Sequence, residues 1–389
     1  MADSKYAERM NVGTWEHQMS RPHRSRRLDI ELTERCNLNC IHCYINKPAG
    51  DRELQKREMS TDMIKETLSE AASLGKLRLL ITGGEPMLRP DFSEIYLHAR
   101  ELGYVVQLFT NGTLITPQIA DMFARVPPLG AIEISVYGMS PGSYGGVTGV
   151  PACHAALQRG LNLLLERDVR FLVRMQVLPP NRHEVEEFLA WARTIPGMEN
   201  RPALGSMYKY RGRRDNPEKN TVIDDLRPDA DEALAMMQER KEVYDRSLRQ
   251  FCEKFLGVTG DRLFPCGAGL GGAIDPYGRL QPCLSLRKPD LCVDLHDHSI
   301  TEALNEHFLQ LREMRAENPA YLQRCAKCFL RSMCDMCPGS SWAENGTLDT
   351  PIDYYCSVAH RQALDLGLIS EGEKAWEIED WESRKPKTD

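Results

Sequence analysis

Cysteine placement constrains this chain more than any other feature. Cys36, Cys40 and Cys43 stand together near the start, eight more lie between Cys266 and Cys356, and Cys153 and Cys252 stand apart. A chain of 389 residues buries a full core without covalent staples, and 13 is an odd number of thiols, so a disulfide framework is a poor reading. In a reducing compartment such thiols more often bind metal or carry redox chemistry. Two separated groups predict two sites in two domains. The formal net charge of −7 offers no overall basic footprint for nucleic acid. Met1 to Met10 is polar and charged, and no run approaches 18 apolar residues, so neither a secretory signal nor a membrane span is expected. The expected location is cytoplasmic.

From Leu28 the pattern alternates strands and helices. Leu28-Asp-Ile-Glu-Leu32 has the period of a strand. Ser60 or Thr61 then caps a helix through Ile64, Leu68, Ala71 and Ala72, ended by Gly75. Strands are predicted at Lys76–Thr82, Tyr104–Thr110, Ile132–Val136 and Arg170–Val177, with a sixth around Ala203–Tyr208. Helices are predicted near Pro90–Leu102, Pro117–Val126, Ala152–Glu166, His183–Arg193 and Asp229–Arg249. Six β/α units imply a parallel sheet with right-handed crossovers, either curled into a full or partial barrel or left open. Functional loops then leave the C-terminal ends of the strands. Beyond Phe251 the alternation stops, and Pro265–Cys356 reads as a loop-rich, metal-dependent domain. Glu371–Asp389 reads as a charged, mobile tail.

Cys36-Asn-Leu-Asn-Cys40-Ile-His-Cys43-Tyr44 directly follows the first strand. Three sulfurs on one tight loop converge on one metal centre and leave a fourth position free. Spacing alone does not separate iron from zinc. The C-x3-C-x2-C-aromatic pattern resembles the signature of radical S-adenosylmethionine (SAM) enzymes, in which three cysteines hold a [4Fe–4S] cluster whose open iron is chelated by SAM. The second strand ends Ile81-Thr82-Gly83-Gly84-Glu85-Pro86, where the family has a Gly-Gly-Glu-Pro motif that meets the cofactor's amino group. A backbone without Cβ allows such close approach. The resemblance extends cofactor contact to Thr82, Gly83, Gly84 and Glu85, to Asn111 in Thr110-Asn111-Gly112, to Ser135, and to Arg174, the last by a charge-assisted bond to the methionine carboxylate.

The second group runs Cys266, Gly278, Cys283, then Cys325-x2-Cys328-x5-Cys334-x2-Cys337, and finally Cys356. It resembles the SPASM extension of radical SAM enzymes, with two residues, Asp335 and Met336, where three are usual between the last close pair. The resemblance implies two auxiliary iron–sulfur clusters. Cys325, Cys328, Cys334 and Cys356 would ligate the distal one, and Cys266, Cys283 and Cys337 the nearer. The crossover at Cys337, before Pro338, parallels two-cluster ferredoxins. Cys252, Cys292, substrate or water is left to complete the nearer set. The alternative for the group is a pair of structural zinc sites. Cys153 reads as a small buried hydrophobe.

The expected fold is therefore α/β: a partial (β/α)6 TIM-like barrel with a C-terminal loop-rich iron–sulfur (SPASM) domain. The expected boundaries are an N-terminal extension over 1–27, a radical SAM core over 28–250, a SPASM domain over 251–370 and a tail over 371–389. Family chemistry implies reductive cleavage of SAM to a 5′-deoxyadenosyl radical that abstracts hydrogen from an unreactive carbon, with the protein supplying orientation and exclusion. SPASM-bearing members often modify ribosomally made peptides by thioether or C–C crosslinks, epimerisation or oxidation. The 35 residues before Cys36 are too few for a fused winged-helix leader-binding domain, so a separate leader-binding protein or direct peptide binding is expected. An electron donor such as flavodoxin or ferredoxin is expected as well. Leu284 after Cys283 argues against sulfatase-type maturation. The alternatives are a radical enzyme that trims a tetrapyrrole and a non-catalytic zinc scaffold. No general acid or base is assigned; Glu85, Tyr137, Tyr208 and Arg211 are candidates by position near strand ends.

Overall fold

The computed structural model describes residues 27–199, 203–205, 217–239 and 241–386. These fall into two compact units. The first takes in the described residues up to Ala203 with Gly267–Leu309, the second Leu204–Cys266 and the described residues from Gln310 on.

The first unit is an α/β sheet. Its strands are β1 (Arg27–Glu31), β2 (Arg35–Cys36), β3 (Lys47–Pro48), β4 (Arg78–Thr82), β5 (Val105–Thr110), β6 (Leu129–Ser135) and β7 (Phe171–Gln176). β1, β4, β5, β6 and β7 pair in that order, all parallel, as crossover helices require. Leu28, Ile30, Leu79, Ile81, Val106, Leu108, Ile132, Ile134 and Val173 are each at most 1% exposed. They alternate with Asp29, Glu31, Thr82, Gln107, Glu133, Ser135, Arg174 and Gln176, among which Leu80, Phe109 and Leu172 also stand, so one face of the sheet is apolar and the other mixed. Each fully buried Leu or Ile on the apolar face contributes about 1.5–3 kcal/mol.

The helices of this unit are α1 (Arg52–Arg57), which buries no residue, and α2 (Thr61–Ser73), α3 (Phe92–Glu101), α4 (Pro117–Arg125), α5 (Pro141–Thr148), α6 (Cys153–Leu165) and α7 (Val185–Ala192), each with a buried side. Ser60 caps α2 by accepting from Met63 N at 3.2 Å, and Gly75 beyond its end takes φ +82°, a left-handed turn suited to glycine. Thr116 caps α4, with Pro117 in the first turn. The buried Tyr96 and Tyr104 hydroxyls donate to Val126 O at 2.6 Å and Leu68 O at 2.8 Å, so neither is left unsatisfied. α1 and α5 were not expected. α5 is Pro-Gly-Ser-Tyr-Gly-Gly-Val-Thr, a composition that reads as loop.

Of the sixth strand expected at Ala203–Tyr208, Leu204–Gly205 forms the two-residue strand β8, and Ala203 O accepts from Met175 N at 2.9 Å; Gly205 is followed by residues outside the described set. The sheet also grows on its other side. β9 (Gly272–Ile274) pairs parallel to β1, and β10 (Arg279–Gln281) and β11 (Val293–Asp294) add antiparallel. Asp275 Oδ1 accepts from Tyr277 N and Arg279 N, both at 3.0 Å, and Gly278 takes φ +82°, closing a tight hairpin. This hairpin, paired to β1, places Gly267–Leu309 in the first unit.

The second unit holds the helices α8 (Pro217–Asp225), α9 (Ala230–Met237), α10 (Lys241–Phe255), α11 (Pro338–Asn345) and α12 (Asp353–Asp365). The single helix expected over Asp229–Arg249 is thus two, α9 and α10. Their core joins Leu256, Phe329, Leu330, Ala363, Leu366 and Ile369. The expected tail is packed rather than mobile where it is described: Trp376, Ile378 and Trp381 lie against this core, and Trp381 stacks on Phe329 with ring centroids 6.2 Å apart. Its charges sit on the outer side of an apolar anchor, which composition alone conceals. Trp381→Ala is expected to cost about 2 kcal/mol, below the range for a fully buried Trp because the ring is half exposed, and urea unfolding measures it.

Candidate active site

The first cysteine loop leaves β1 and is fixed at several points by backbone. Asn39 N donates to Thr148 O at 2.9 Å and Ile41 N to Val147 O at 3.0 Å, so the C-terminal end of α5 holds its middle. β2 and β3 pair in parallel across its base. Arg35 makes a bidentate pair with Glu58 at 2.9 and 3.0 Å, both side chains 5% exposed. Arg89 donates to Leu32 O at 3.3 Å and Met59 O at 3.1 Å and pairs with Asp91. Cys40 is buried, and Cys36 and Cys43 are half-buried.

The glycine pair meets the loop itself. Gly84 N donates to Thr33 O at 2.6 Å and Glu85 N to Arg35 O at 2.9 Å. A Cβ on Gly83 would lie 2.5 Å from Thr33 O, and one on Gly84 2.2 Å from Arg35 O, so the pair serves first an approach of backbone to backbone. Thr82, Gly83 and Gly84 stay partly accessible beside it.

Glu85 is 0% exposed. Its carboxylate accepts from Met87 N at 3.1 Å, Thr110 Oγ1 at 2.9 Å and Asn111 N at 2.8 Å, tying the end of β4 to the end of β5. Glu85 therefore positions the adjoining loops and does not present a free carboxylate. Asn111 Nδ2 lies 3.7 Å from Cys36 Sγ and donates to Asn37 Oδ1 at 2.9 Å, while its Oδ1 accepts from Thr113 N at 3.0 Å. Ser135 and Arg174 are direct neighbours across β6 and β7. Arg174 pairs with Glu133 at 3.4 Å and is the more exposed of the two.

Several contributors were not legible as site residues. Glu184 accepts from Met139 N and Ser140 Oγ, both at 2.7 Å; burial opposes its charge, but these donors hold the carboxyl below its ordinary value. Asn181 is 0% exposed and bridges Tyr137 O and Gln176 O at 3.0 and 2.9 Å. Tyr137 sits against His42 with ring centroids 5.5 Å apart; burial, then the charges of Cys40 and its partner thiols, raise its hydroxyl against a hydrogen bond from Ser135. Tyr208 and Arg211 lie outside the described residues.

Burial, with smaller contributions from Glu85 and Cys43, pushes the Cys36 thiol up to about 12. Left to itself the thiol is neutral, and a bound metal centre would displace its proton. Three soft thiols on one shielded loop fit an iron–sulfur cluster with one open position. Among the described residues no three His, Cys, Asp or Glu side chains are grouped to hold a single metal ion.

In the second unit, Cys325, Cys328, Cys334 and Cys356 line one pocket with Arg324, Arg331, Met336 and Trp376. Burial pushes Cys328 and Cys334 up to about 12 and raises Cys325 and Cys356 as well. Four shielded thiols around one space fit a cluster held entirely by cysteine. Cys337 is not in this lining; it caps α11, its Sγ accepting from Ser340 N at 3.4 Å. Cys266 is exposed, and Cys283 is half-buried in the first unit. Cys252 is 0% exposed in the apolar core, 3.6 Å from Met333 Sδ. Cys292, in the same unit as Cys283, donates to Lys288 O at 3.2 Å. Cys153 opens α6 half-buried.

Known proteins agree with this geometry. Residues 30–192 match the radical SAM superfamily. The chain therefore carries a radical SAM domain over those residues. It is 33% identical over 165 residues to an AdoMet-dependent heme synthase of Methanosarcina barkeri, a match that spans 42% of this chain and only 46% of that relative. It is 24% identical over 349 residues to the AdoMet-dependent heme synthase of Nitratidesulfovibrio vulgaris, spanning 81% of this chain and 88% of that one. The mycofactocin maturase MftC of Mycolicibacterium smegmatis is 27% identical over 333 residues, 84% of this chain and 80% of the relative. The crystal structure of Streptococcus suis SuiB bound to S-adenosylmethionine shares the fold, with TM-score 0.62 and 14% identity over 86% of this chain and 77% of that one. No helix among the described residues is long and apolar enough to cross a membrane.

Two outcomes test this site. Because a Cβ at position 84 meets backbone rather than a movable side chain, Gly84→Ala is expected to cost about 3 kcal/mol in urea unfolding. Burial raises Glu85 from 4.5 to about 7, so within that window the folded chain keeps a proton that the unfolded chain releases, and stability falls as pH rises. Across that window the wild type should lose stability up to about 1.4 kcal/mol per pH unit more steeply than Glu85→Gln.

Proposed function

We propose that this chain is a radical SAM enzyme that modifies a ribosomally made peptide by C–H abstraction, ending in a thioether or C–C crosslink, an epimerised residue or an oxidised one. When bound, a [4Fe–4S] cluster and SAM supply the one-electron cleavage that yields methionine and a 5′-deoxyadenosyl radical. Cys36, Cys40 and Cys43 hold the cluster in this reading. Thr82, Gly83 and Gly84 border the cofactor, and Glu85 holds Asn111 in place beside Cys36. Ser135 and Arg174 offer a hydroxyl and a cation from adjoining strands, the latter for the methionine carboxylate.

The observation that carries the peptide reading is the second thiol site. Four cysteines line one pocket in a unit outside the matched radical SAM domain, and the likeness to a maturase extends over 84% of the chain. In this reading Cys325, Cys328, Cys334 and Cys356 hold one auxiliary cluster. Cys266, Cys283 and Cys337 belong to another, with Cys292 or substrate as its remaining ligand. An electron donor of the flavodoxin or ferredoxin type and a separate leader-binding protein complete the system, in the cytoplasm.

The likeness to heme synthases favours a second reading, in which the substrate is a tetrapyrrole that loses a carboxyl group or side chain. Incubation of the reduced, anaerobically purified enzyme with SAM and either a candidate precursor peptide or a carboxylated tetrapyrrole separates the two by the mass change of the product. Cys40→Ala is expected to abolish formation of 5′-deoxyadenosine, whereas Cys328→Ala keeps at least part of it. Cleavage retained in Cys40→Ala overturns the site assignment, and stoichiometric zinc without 5′-deoxyadenosine overturns the enzyme chemistry.

A further inference from the structure

The pocket of four thiols contains a buried cation without an anion. Arg331 is 8% exposed. Among the described residues it donates to Cys334 O at 3.4 Å and Met336 Sδ at 3.8 Å and meets the neutral Tyr321 hydroxyl, its Nε is unsatisfied, and no carboxylate pairs with it. Burying an uncompensated charge is strongly unfavourable, and an ordinary core would place a hydrophobe here.

Arg324 differs. It lines the same pocket but is paired with Asp353 at 2.6 Å and rests over the Trp376 ring at 5.0 Å. Its charge is already partly spent on a carboxylate. Arg331 is therefore the group whose placement demands an explanation from the pocket itself. Four thiolates around an iron–sulfur core carry a net negative charge, which increases on one-electron reduction. A guanidinium held against them is stabilised by that charge and favours the reduced state.

We propose that Arg331 is the built-in counter-charge of a cluster held by Cys325, Cys328, Cys334 and Cys356, and that it raises that cluster's reduction potential. The inference rests on the reading that these cysteines hold a cluster. Arg331 is a positioning and tuning residue, and its effect is electrostatic.

The test uses the full chain with Cys36, Cys40, Cys43 and Cys283 replaced by Ala, so that the C-terminal set dominates the signal. Iron and sulfide are measured after anaerobic purification, and the cluster is titrated with dithionite and mediators while its paramagnetic resonance is followed. Arg331→Met is expected to disfavour reduction at least tenfold, about 59 mV lower for one electron. Arg331→Lys should keep most of the potential, and Arg324→Met should shift it less. If Arg331→Met fails to load iron, iron retained by Arg331→Lys supports the proposal, and iron lost from both overturns it. An unchanged potential in Arg331→Met overturns it, as does an equal shift in Arg331→Lys, which would mark shape rather than charge. A parent chain without iron, unaffected by Cys334→Ser, defeats the cluster reading and not the role of Arg331 alone.

Discussion

The contact on which the active site depends is the approach of the Gly83–Gly84 backbone to Thr33–Arg35. At 2.6 Å between Gly84 N and Thr33 O there is no room for a side chain. That approach sets the end of β4 against the loop that carries three thiols, and the next residue, Glu85, carries the constraint on to β5. Its carboxylate is fully buried and binds Thr110 and Asn111, and Asn111 returns to Cys36. Three segments far apart in sequence are thereby held in one place by hydrogen bonds that exclude water. The proposed radical chemistry would require this kind of rigidity, because a misplaced reactive intermediate abstracts from the nearest available carbon.

The second unit is built on a different compromise. Its apolar core takes in Cys252, Cys328 and Phe329 and is closed by Trp376 and Trp381 from the C-terminal segment. Into the neighbouring pocket it places two guanidinium groups and four thiols. Under the proposal that a cluster binds there, the thiols ionise around it, and cofactor loading and folding are thermodynamically linked in this unit.

The barrel strands were legible because each combines β-branched or aliphatic residues with an abrupt turn, and the observed strands β4 to β7 lie within a few residues of the expected ones. The hairpin from Gly272 to Gln281 was not, although Asp275-Pro276-Tyr277-Gly278 is a turn signal. Its strands are three residues long and take their stability from pairing beside β1, a contact about 240 residues distant in sequence. The C-terminal segment was misjudged for a related reason. Abundant charge masked two tryptophans and an isoleucine whose burial depends on partners that only the fold supplies. Glu58, Asn181 and Glu184 belong to the same class: an isolated polar residue carries no local mark of the backbone amides or cations it will meet.

Sequence alone determined the chemistry on offer: three thiols in C-x3-C-x2-C spacing after a strand, a Gly-Gly-Glu-Pro turn one β/α unit later, and a second, denser group of cysteines. Such signals are local, since they depend on which atoms a short loop can present. Tertiary structure alone decided which groups stay available. It consigned Cys252 to an apolar core, turned Glu85 inward as a tie between strands, drew Cys325, Cys328, Cys334 and Cys356 around one space and left Cys337 to cap a helix. Burial and counter-charge are properties of a neighbourhood, and a neighbourhood exists only once distant segments have packed.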